Sequence, residues 1–240
     1  MNSFDFPTGL LADGAGSLGV ALSGGQLTLF AEYARLLLEW NERMNLTAIT
    51  DPEGIAVRHF VDSLTLLRAA EPAPGAKLLD VGTGAGFPSV PACIARPDLK
   101  PTLLDSLKKR LLFLQELTEA LSIQAELVHQ RAEDAARLSE YREQFDLVCA
   151  RAVARLSALC EYCLPFVRLG GSFAALKGPD GLQELEEAGQ AIALLGGGQA
   201  EAHPFTLPDG SERHVVVIKK LRPTPTKYPR KGTKIAKMPL

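Results

Sequence analysis

The 240-residue sequence predicts an α/β fold, an open and mostly parallel sheet with helices on both faces, closed by an antiparallel hairpin and preceded by a small helical cap. Three observations predict it. After Ala76, short apolar runs alternate with stretches of helical period, as parallel strands joined by crossovers do. The first run enters a loop with glycines at alternate positions, DVGTGAGFPSVP, at the strand end where open sheets bind ligands. Finally, residues 201–207 and 213–221 flank the turn Pro208–Asp209–Gly210, a hairpin signature.

The elements follow in order. Residues 1–22 are Gly-rich with weak periodicity and read as a loose leader; MNSFDFPTGLLADG lacks a basic start and carries Asp5 and Asp13, which argues against a signal peptide. Ser23 and Gln26 match a capping box, and Leu27, Phe30, Ala31, Ala34 and Leu38 follow at helical spacing. A second helix starts at Asp51–Pro52, an N-cap followed by proline, with Ile55, Val61, Leu64 and Leu67 on its apolar side. EPAPG, residues 71–75, ends the cap. Strands are predicted at 77–81, 101–105, 125–129, 145–149 and 172–176, and helices at 88–96, 107–121, 132–141, 155–169 and 182–195. The chain thus divides into a leader and helical cap (1–75), a main α/β domain (76–222) and a basic tail (223–240).

A hydrophobic content of 46% with 22% charged residues excludes disordered and fibrous classes. No apolar run approaches the roughly 18 residues of a membrane span. Cys93, Cys149, Cys160 and Cys163 sit in apolar surroundings and read as reduced thiols, which with the unremarkable N-terminus predicts a cytoplasmic protein. The net charge of −2 hides an asymmetry. From Lys219 to Leu240 there are eight Lys or Arg and no acid, so the preceding body carries −10. Such a tail points to a polyanionic partner; the alternative is a tail lying on the protein's own acidic surface.

The glycine loop is G-x-G-x-G over Gly82, Gly84 and Gly86, not the G-x-G-x-x-G of a dinucleotide site, and no Gly-Lys-Ser/Thr follows as in a P-loop. Asp80, just before it, would repel phosphate but can bond an ammonium or a water. Asp105 ends the second strand, where acids hold ribose hydroxyls. After the third strand, Ala132–Glu133–Asp134 offers amide and carboxylate to an adenine edge. Together these outline an adenosine-shaped site with no phosphate receptor, which fits S-adenosylmethionine; the alternative is a tight turn with solvated acids.

DVGTGAGFPSVP followed by LLDSLKKR resembles the bacterial small-subunit ribosomal RNA guanine-N7 methyltransferases, also called glucose-inhibited division protein B. WNERMNLTAIT (40–50), RHFVDSL (58–64), RAED (131–134), ARAVA (150–154), LKG (176–178) and KYPRK (227–231) resemble further segments of that family in order, so the likeness spans roughly 25–232. It implies a Rossmann-like class I S-adenosylmethionine-dependent methyltransferase fold, a seven-stranded mostly parallel sheet. It further implies methyl transfer to N7 of one guanine of 16S ribosomal RNA near the decoding centre, with S-adenosylhomocysteine as product. Family cofactor positions fall on Gly82, Phe87, Ala132, Glu133 and Arg151. The partner implied is 16S ribosomal RNA or the small ribosomal subunit, met by a monomer without a membrane. After KYPRK the chain departs from the family, reading GTKIAKMPL, which concerns RNA contact and not the chemistry.

Guanine N7 carries an in-plane lone pair, so no general base is required and the work is positioning. Consistently, the place after the fourth strand reads Ala150–Arg151–Ala152–Val153, with no motif for an exocyclic amine. Cys160 and Cys163 lie one helical turn apart and read as buried thiols, not as a nucleophile or zinc ligands, and no metal is expected. Arg151, Arg155 and Lys177 are candidates for positioning the base. For Arg151 an ion pair with Glu133 or Asp105 is an equal alternative. Lys108–Lys109–Arg110 open a helix whose dipole they oppose, for phosphate contact or as solvated charges. Candidate RNA contacts are Arg58, His59, Arg155, Lys227, Arg230 and Lys231; an Arg58–Asp62 pair and a buried, satisfied His59 are the plainer readings. Rival functions are a methyltransferase on another substrate and a non-catalytic RNA binder with an adenosine pocket.

Overall fold

A computed structural model describes residues 5–240. Its strands are β1 (Lys77–Val81), β2 (Lys100–Asp105), β3 (Glu126–His129), β4 (Phe145–Arg151), β5 (Val167–Lys177), β6 (Gly197–Thr206) and β7 (Glu212–Lys220). They form one seven-stranded sheet of order β3-β2-β1-β4-β5-β7-β6. The first five are parallel, and β7 lies antiparallel between β5 and β6. Consecutive apolar residues such as Leu78 and Leu79 are buried because helices cover both faces. The order reverses at β1, which pairs with β2 on one side and β4 on the other, and a crevice opens over the carboxyl ends of these three strands.

The cap contains α1 (Thr8–Ser17), α2 (Gly24–Met44) and one continuous helical segment: α3 (Pro52–Gly54), a π-helical run Ile55–Val61, and α4 (Asp62–Ala70). The predicted caps form: Ser23 and Gln26 close a capping box, and the Asp51 carboxylate accepts from the Gly54 amide at 2.6 Å. Around the sheet lie α5 (Ser89–Ala95), α6 (Lys108–Ala120), α7 (Ala132–Ala135), α8 (Leu156–Cys163), α9 (Gly181–Glu187), α10 (Gly189–Leu194) and, in the tail, α11 (Gly232–Lys237). Phe30, Tyr33, Phe60 and Leu64 of the cap share one core with α5 and α6, while Leu159, Phe173 and Ile218 belong to a second core on the other face. Among the described residues no helix is long and apolar enough to cross a membrane.

Four expectations change. The leader is not loose: Leu11 and Ala15 of α1 are fully buried, and a side chain at Gly14 would stand 2.7 Å from Val61, so that glycine serves close packing. Residues 1–4 of the expected leader lie outside the described residues. The helix predicted at 155–169 stops at Cys163, because Pro165 supplies no amide for its continuation, and β5 begins already at Val167. The helix predicted at 132–141 is a single turn, and that at 182–195 is interrupted at Ala188.

Candidate functional site

The glycine loop is held by its own backbone. The amides of Gly82 and Thr83 donate to Leu104 O at 2.8 and 3.2 Å, and those of Gly86 and Phe87 to Thr83 O at 2.9 and 3.1 Å. Gly84 N donates to Asp105 Oδ2 at 3.0 Å. The amides of Gly82, Thr83, Gly84, Gly86 and Phe87 are thus bonded within the protein. Gly82 needs its positive φ of 71°, and a Cβ there would meet Val153 at 2.8 Å, so no other residue lets loop and facing rim approach this closely.

Asp80 is fully buried beneath the loop rather than exposed in the crevice. Its Oδ2 accepts from Ser89 Oγ at 2.6 Å, Thr83 Oγ1 at 3.0 Å and Ser89 N at 3.3 Å, while Oδ1 has no partner among the described residues. Burial pushes its carboxyl up to about 6. Asp80 therefore anchors the loop. Gly86 faces the cap, where a Cβ would come within 2.8 Å of Tyr33 Oη, whose hydroxyl donates to Ala85 O at 2.5 Å.

A cavity of about 560 Å³ opens over the strand ends. Gly82 from the loop, Asp105 at the end of β2, Arg110 of α6, Gln130 to Glu133 after β3, and Ala152 to Arg155 after β4 line it, with Ala158 and Tyr162 from α8. Three predicted features thus meet: Gly82, Asp105 and the Ala132–Glu133 turn. Asp105 is almost wholly buried, bonded to the Leu107 amide at 2.9 Å and to Arg110 at 3.1 Å. The Oε1 of Gln130 is buried without a hydrogen-bond partner, an acceptor without a donor on the cavity wall. A carboxylate for hydroxyls, an amide and a carboxylate for a base edge, and no free amide nest fit an adenosine bearing an ammonium and a sulfonium.

Two family cofactor positions lie elsewhere. Phe87 and Arg151 do not line the cavity but sit in the seam between cap and sheet. Phe87 stacks on His59 (ring centroids 4.5 Å) and on Tyr33 (5.3 Å), with the Arg151 guanidinium 4.7 Å above its ring. Arg151 bonds Asp62 Oδ2 at 2.9 Å, Arg58 O at 3.2 Å and His59 Nδ1 at 3.2 Å, so its acid is Asp62 and neither Glu133 nor Asp105. Asp62 is buried and also meets Arg213 of β7 at 3.4 Å; burial pushes its carboxyl up, against the pull of both arginines. His59 is a satisfied core histidine: Nε2 contacts Thr47 Oγ1 at 2.7 Å, and burial then the Arg151 charge depress its pKa to about 3. Its ring is thus turned into the seam and not to solvent.

The cations sort by their partners. Arg58 pairs with Asp209 of the hairpin turn at 2.6 Å, not with Asp62, which Arg151 and Arg213 occupy. Lys177 is partly buried, its ammonium against Glu184 (2.8 Å) and Ala154 O (2.9 Å), and so supports the rim after β4. Glu184 also accepts from Leu156 N at 2.6 Å, and between these supports Ala152 holds a left-handed φ of 55°. Arg155 is exposed on the cavity rim and pairs with Glu187 at 2.5 Å. In the tail, Arg230 grips the buried Glu161 at 2.6 Å, a structural tie, whereas Lys227 and Lys231 are exposed. All four cysteines are buried, and burial pushes their thiols up, Cys93 to about 12.

Sequence reading missed Gln130, Arg131 and Tyr162 as cavity residues, and the tail's Ala236 and Pro239. A signal for Tyr162 existed: Arg155, Ala158 and Tyr162 recur at helical spacing on one face of α8.

A family model described as rRNA small subunit methyltransferase G (GidB) matches residues 26–216. The chain belongs to this family. A ribosomal RNA small subunit methyltransferase G of Halalkalibacterium halodurans is 50% identical over 224 residues, 92% of this chain and 94% of that one. A relative of the same name from an Exiguobacterium species is 48% identical over the whole of both chains. Among solved structures, TrmN from Thermus thermophilus superposes with a TM-score of 0.52 at 23% identity, over 67% of this chain and 48% of that chain. An O-methyltransferase from Thermotoga maritima, described as SAM-dependent, gives 0.52 at 12% identity over 79% of this chain and 73% of that one. At these identities the structures establish the shared fold, a class I methyltransferase sheet with an antiparallel C-terminal hairpin.

Proposed function

We propose that the protein transfers a methyl group from S-adenosylmethionine to N7 of one guanine in 16S ribosomal RNA near the decoding centre. The observation that carries this reading is the convergence of Gly82, Asp105 and the Ala132–Glu133 turn on one cavity whose glycine loop bonds most of its amides within the protein, in a chain of the rRNA small subunit methyltransferase G family. The names of the relatives support the RNA substrate. The same reading places the work in the cytoplasm, on the small subunit or its RNA, by a monomeric chain.

S-adenosylmethionine, when bound, supplies an electrophilic methyl group. Asp105 would hold the ribose hydroxyls, Gln130, Ala132 and Glu133 the adenine edge, and Gly82 leaves the backbone bare beside the amino-acid end. Because N7 attacks through a lone pair it already carries, no side chain takes a proton in the step; the residues orient and exclude water. Lys177 and Glu184 fix the 152–155 rim where the base would enter. Tyr162 offers a ring face for an unstacked purine, and Arg131 and Arg155 bring positive charge to the flanking phosphates.

The test is transfer of a labelled methyl group onto small subunits, naked 16S RNA and small-molecule acceptors, with N7-methylguanine mapped by borohydride reduction, aniline cleavage and primer extension. One stop in 16S RNA is expected. Label on small molecules alone would turn the reading to another substrate, and no heat of binding with S-adenosylmethionine would leave only a non-catalytic RNA binder.

A further inference from the structure

We propose that the strap following β7 is itself part of the donor site, and that donor and RNA binding are coupled through it. The inference rests on the cavity being the donor site and deepens that reading. Ala236 of α11 and Pro239 just beyond it line the cavity together with Gly82 and Tyr162. A methyl group on Gly232 would overlap the Glu133 carboxylate, so α11 lies directly against the turn assigned to the adenine edge.

The path to α11 is fixed by buried and part-buried polar ties. Lys220, fully buried, donates to Leu164 O and Thr224 Oγ1, both at 2.5 Å. Arg142 donates to Thr224 O at 2.7 Å and Tyr228 O at 3.1 Å, Arg137 donates to Pro229 O, and Arg230 is bidentate on Glu161. Beyond Arg230 the hold is lighter: Ile235 is buried, Arg230 reaches Met238 O at 3.0 Å, and Tyr162 Oη lies 3.5 Å from Gly232 O. A six-residue helix has no stability of its own, so α11 keeps its place only through what it packs against. Material in the cavity against Ala236 and Pro239 adds to that packing.

The outer side of this wall is cationic. Lys231, Lys234 and Lys237 recur every third residue, are exposed, and have no ion-pair partner among the described residues. Arg131 and Arg155 stand on the other rims of the same mouth. One short helix therefore presents an apolar contact inward and positive charge outward. A donor that seats α11 presets the lysines for phosphates, and RNA that holds the lysines closes the wall on the donor; linkage makes the two effects equal.

The experiment uses the full-length chain, Gly232→Ala, a chain ending at Arg230 and the triple variant Lys231→Gln/Lys234→Gln/Lys237→Gln, each checked by thermal melting. S-adenosylhomocysteine binding is read by calorimetry, and binding of a 16S RNA fragment by fluorescence anisotropy with and without that ligand. The expected result is a donor affinity about tenfold weaker for Gly232→Ala and the shortened chain, and retained for the triple variant, whose RNA affinity falls instead. In the full-length chain S-adenosylhomocysteine should tighten RNA binding about fivefold or more, and in the shortened chain not at all. Equal donor affinity in full-length, shortened and Gly232→Ala chains, or RNA affinity indifferent to the ligand in the full-length chain, overturns the inference while leaving the donor site in place. A full-length chain that binds no S-adenosylhomocysteine overturns both.

Discussion

The seam between cap and sheet and the cavity over the strand ends lie on opposite sides of the glycine loop, and they use similar residues differently. In the seam, Arg151, Asp62, His59, Thr47 and Phe87 spend their hydrogen bonds and ring faces on one another. At the cavity, Gln130 keeps a buried oxygen without a donor, Arg155 is exposed on the rim, and Lys231, Lys234 and Lys237 are exposed on the outer side of the wall. The difference teaches how to sort motif residues. A charged group whose capacity is consumed inside the fold holds the site in shape, and one with capacity left over is available to a ligand.

The sharpest way to break the comparison is Arg151→Ala. It leaves Asp62 buried with only the longer Arg213 contact, so a loss of about 3–5 kcal/mol is expected in urea unfolding. A small stability loss with a large drop in donor affinity would instead move Arg151 to the cavity side.

His59 tests the seam by pH. Its native pKa is about 3 and its ordinary value 6.5, so between these the unfolded chain binds the proton and stability falls as pH drops through that window, by about 1.4 kcal/mol per pH unit. Asp80, held up at about 6, works the opposite way between 6 and 3.8, since there the native state takes the proton. Comparing His59→Gln with the parent chain cancels Asp80, and the variant's relative stability should rise steadily from pH 6.5 to 4. Parallel curves would mean that His59 is not a buried neutral ring.

Asp105→Asn sharpens the cavity side. If Asp105 holds the ribose hydroxyls as proposed, replacing its carboxylate should weaken S-adenosylhomocysteine binding about tenfold, about 1.4 kcal/mol, in calorimetry. The smallest effect is expected at the rim: Arg155→Ala removes an exposed pair and should leave the melting temperature unchanged. It should nonetheless lower the salt dependence of RNA binding by about one unit of log–log slope.

Much of this was legible in the sequence, for reasons visible in particular residues. The β1 boundaries, Lys77–Val81, follow from an apolar run ended by glycine, and the Ser23 and Asp51 caps from local hydrogen bonding. Glycine spacing and Asp105 marked the strand ends as one site in the sequence, and in the fold Gly82, Asp105 and the Ala132–Glu133 turn line one cavity. By contrast, the leader looked loose because α1 buries only a narrow face, and Arg58, Lys177 and Arg230 looked available because charge in a sequence carries no record of its partner.

The sequence alone determined the alternation of strands and helices, the hairpin, the loop chemistry and the family, since each depends on neighbours within a few residues or on an ordered set of motifs. Only the tertiary structure decided that β7 lies between β5 and β6, that Asp62 takes Arg151, and that the basic tail returns to wall the cavity. Those outcomes depend on which distant groups reach one another once the chain is packed, and Coulomb and hydrogen-bond energies are set by that distance and burial, not by position along the chain.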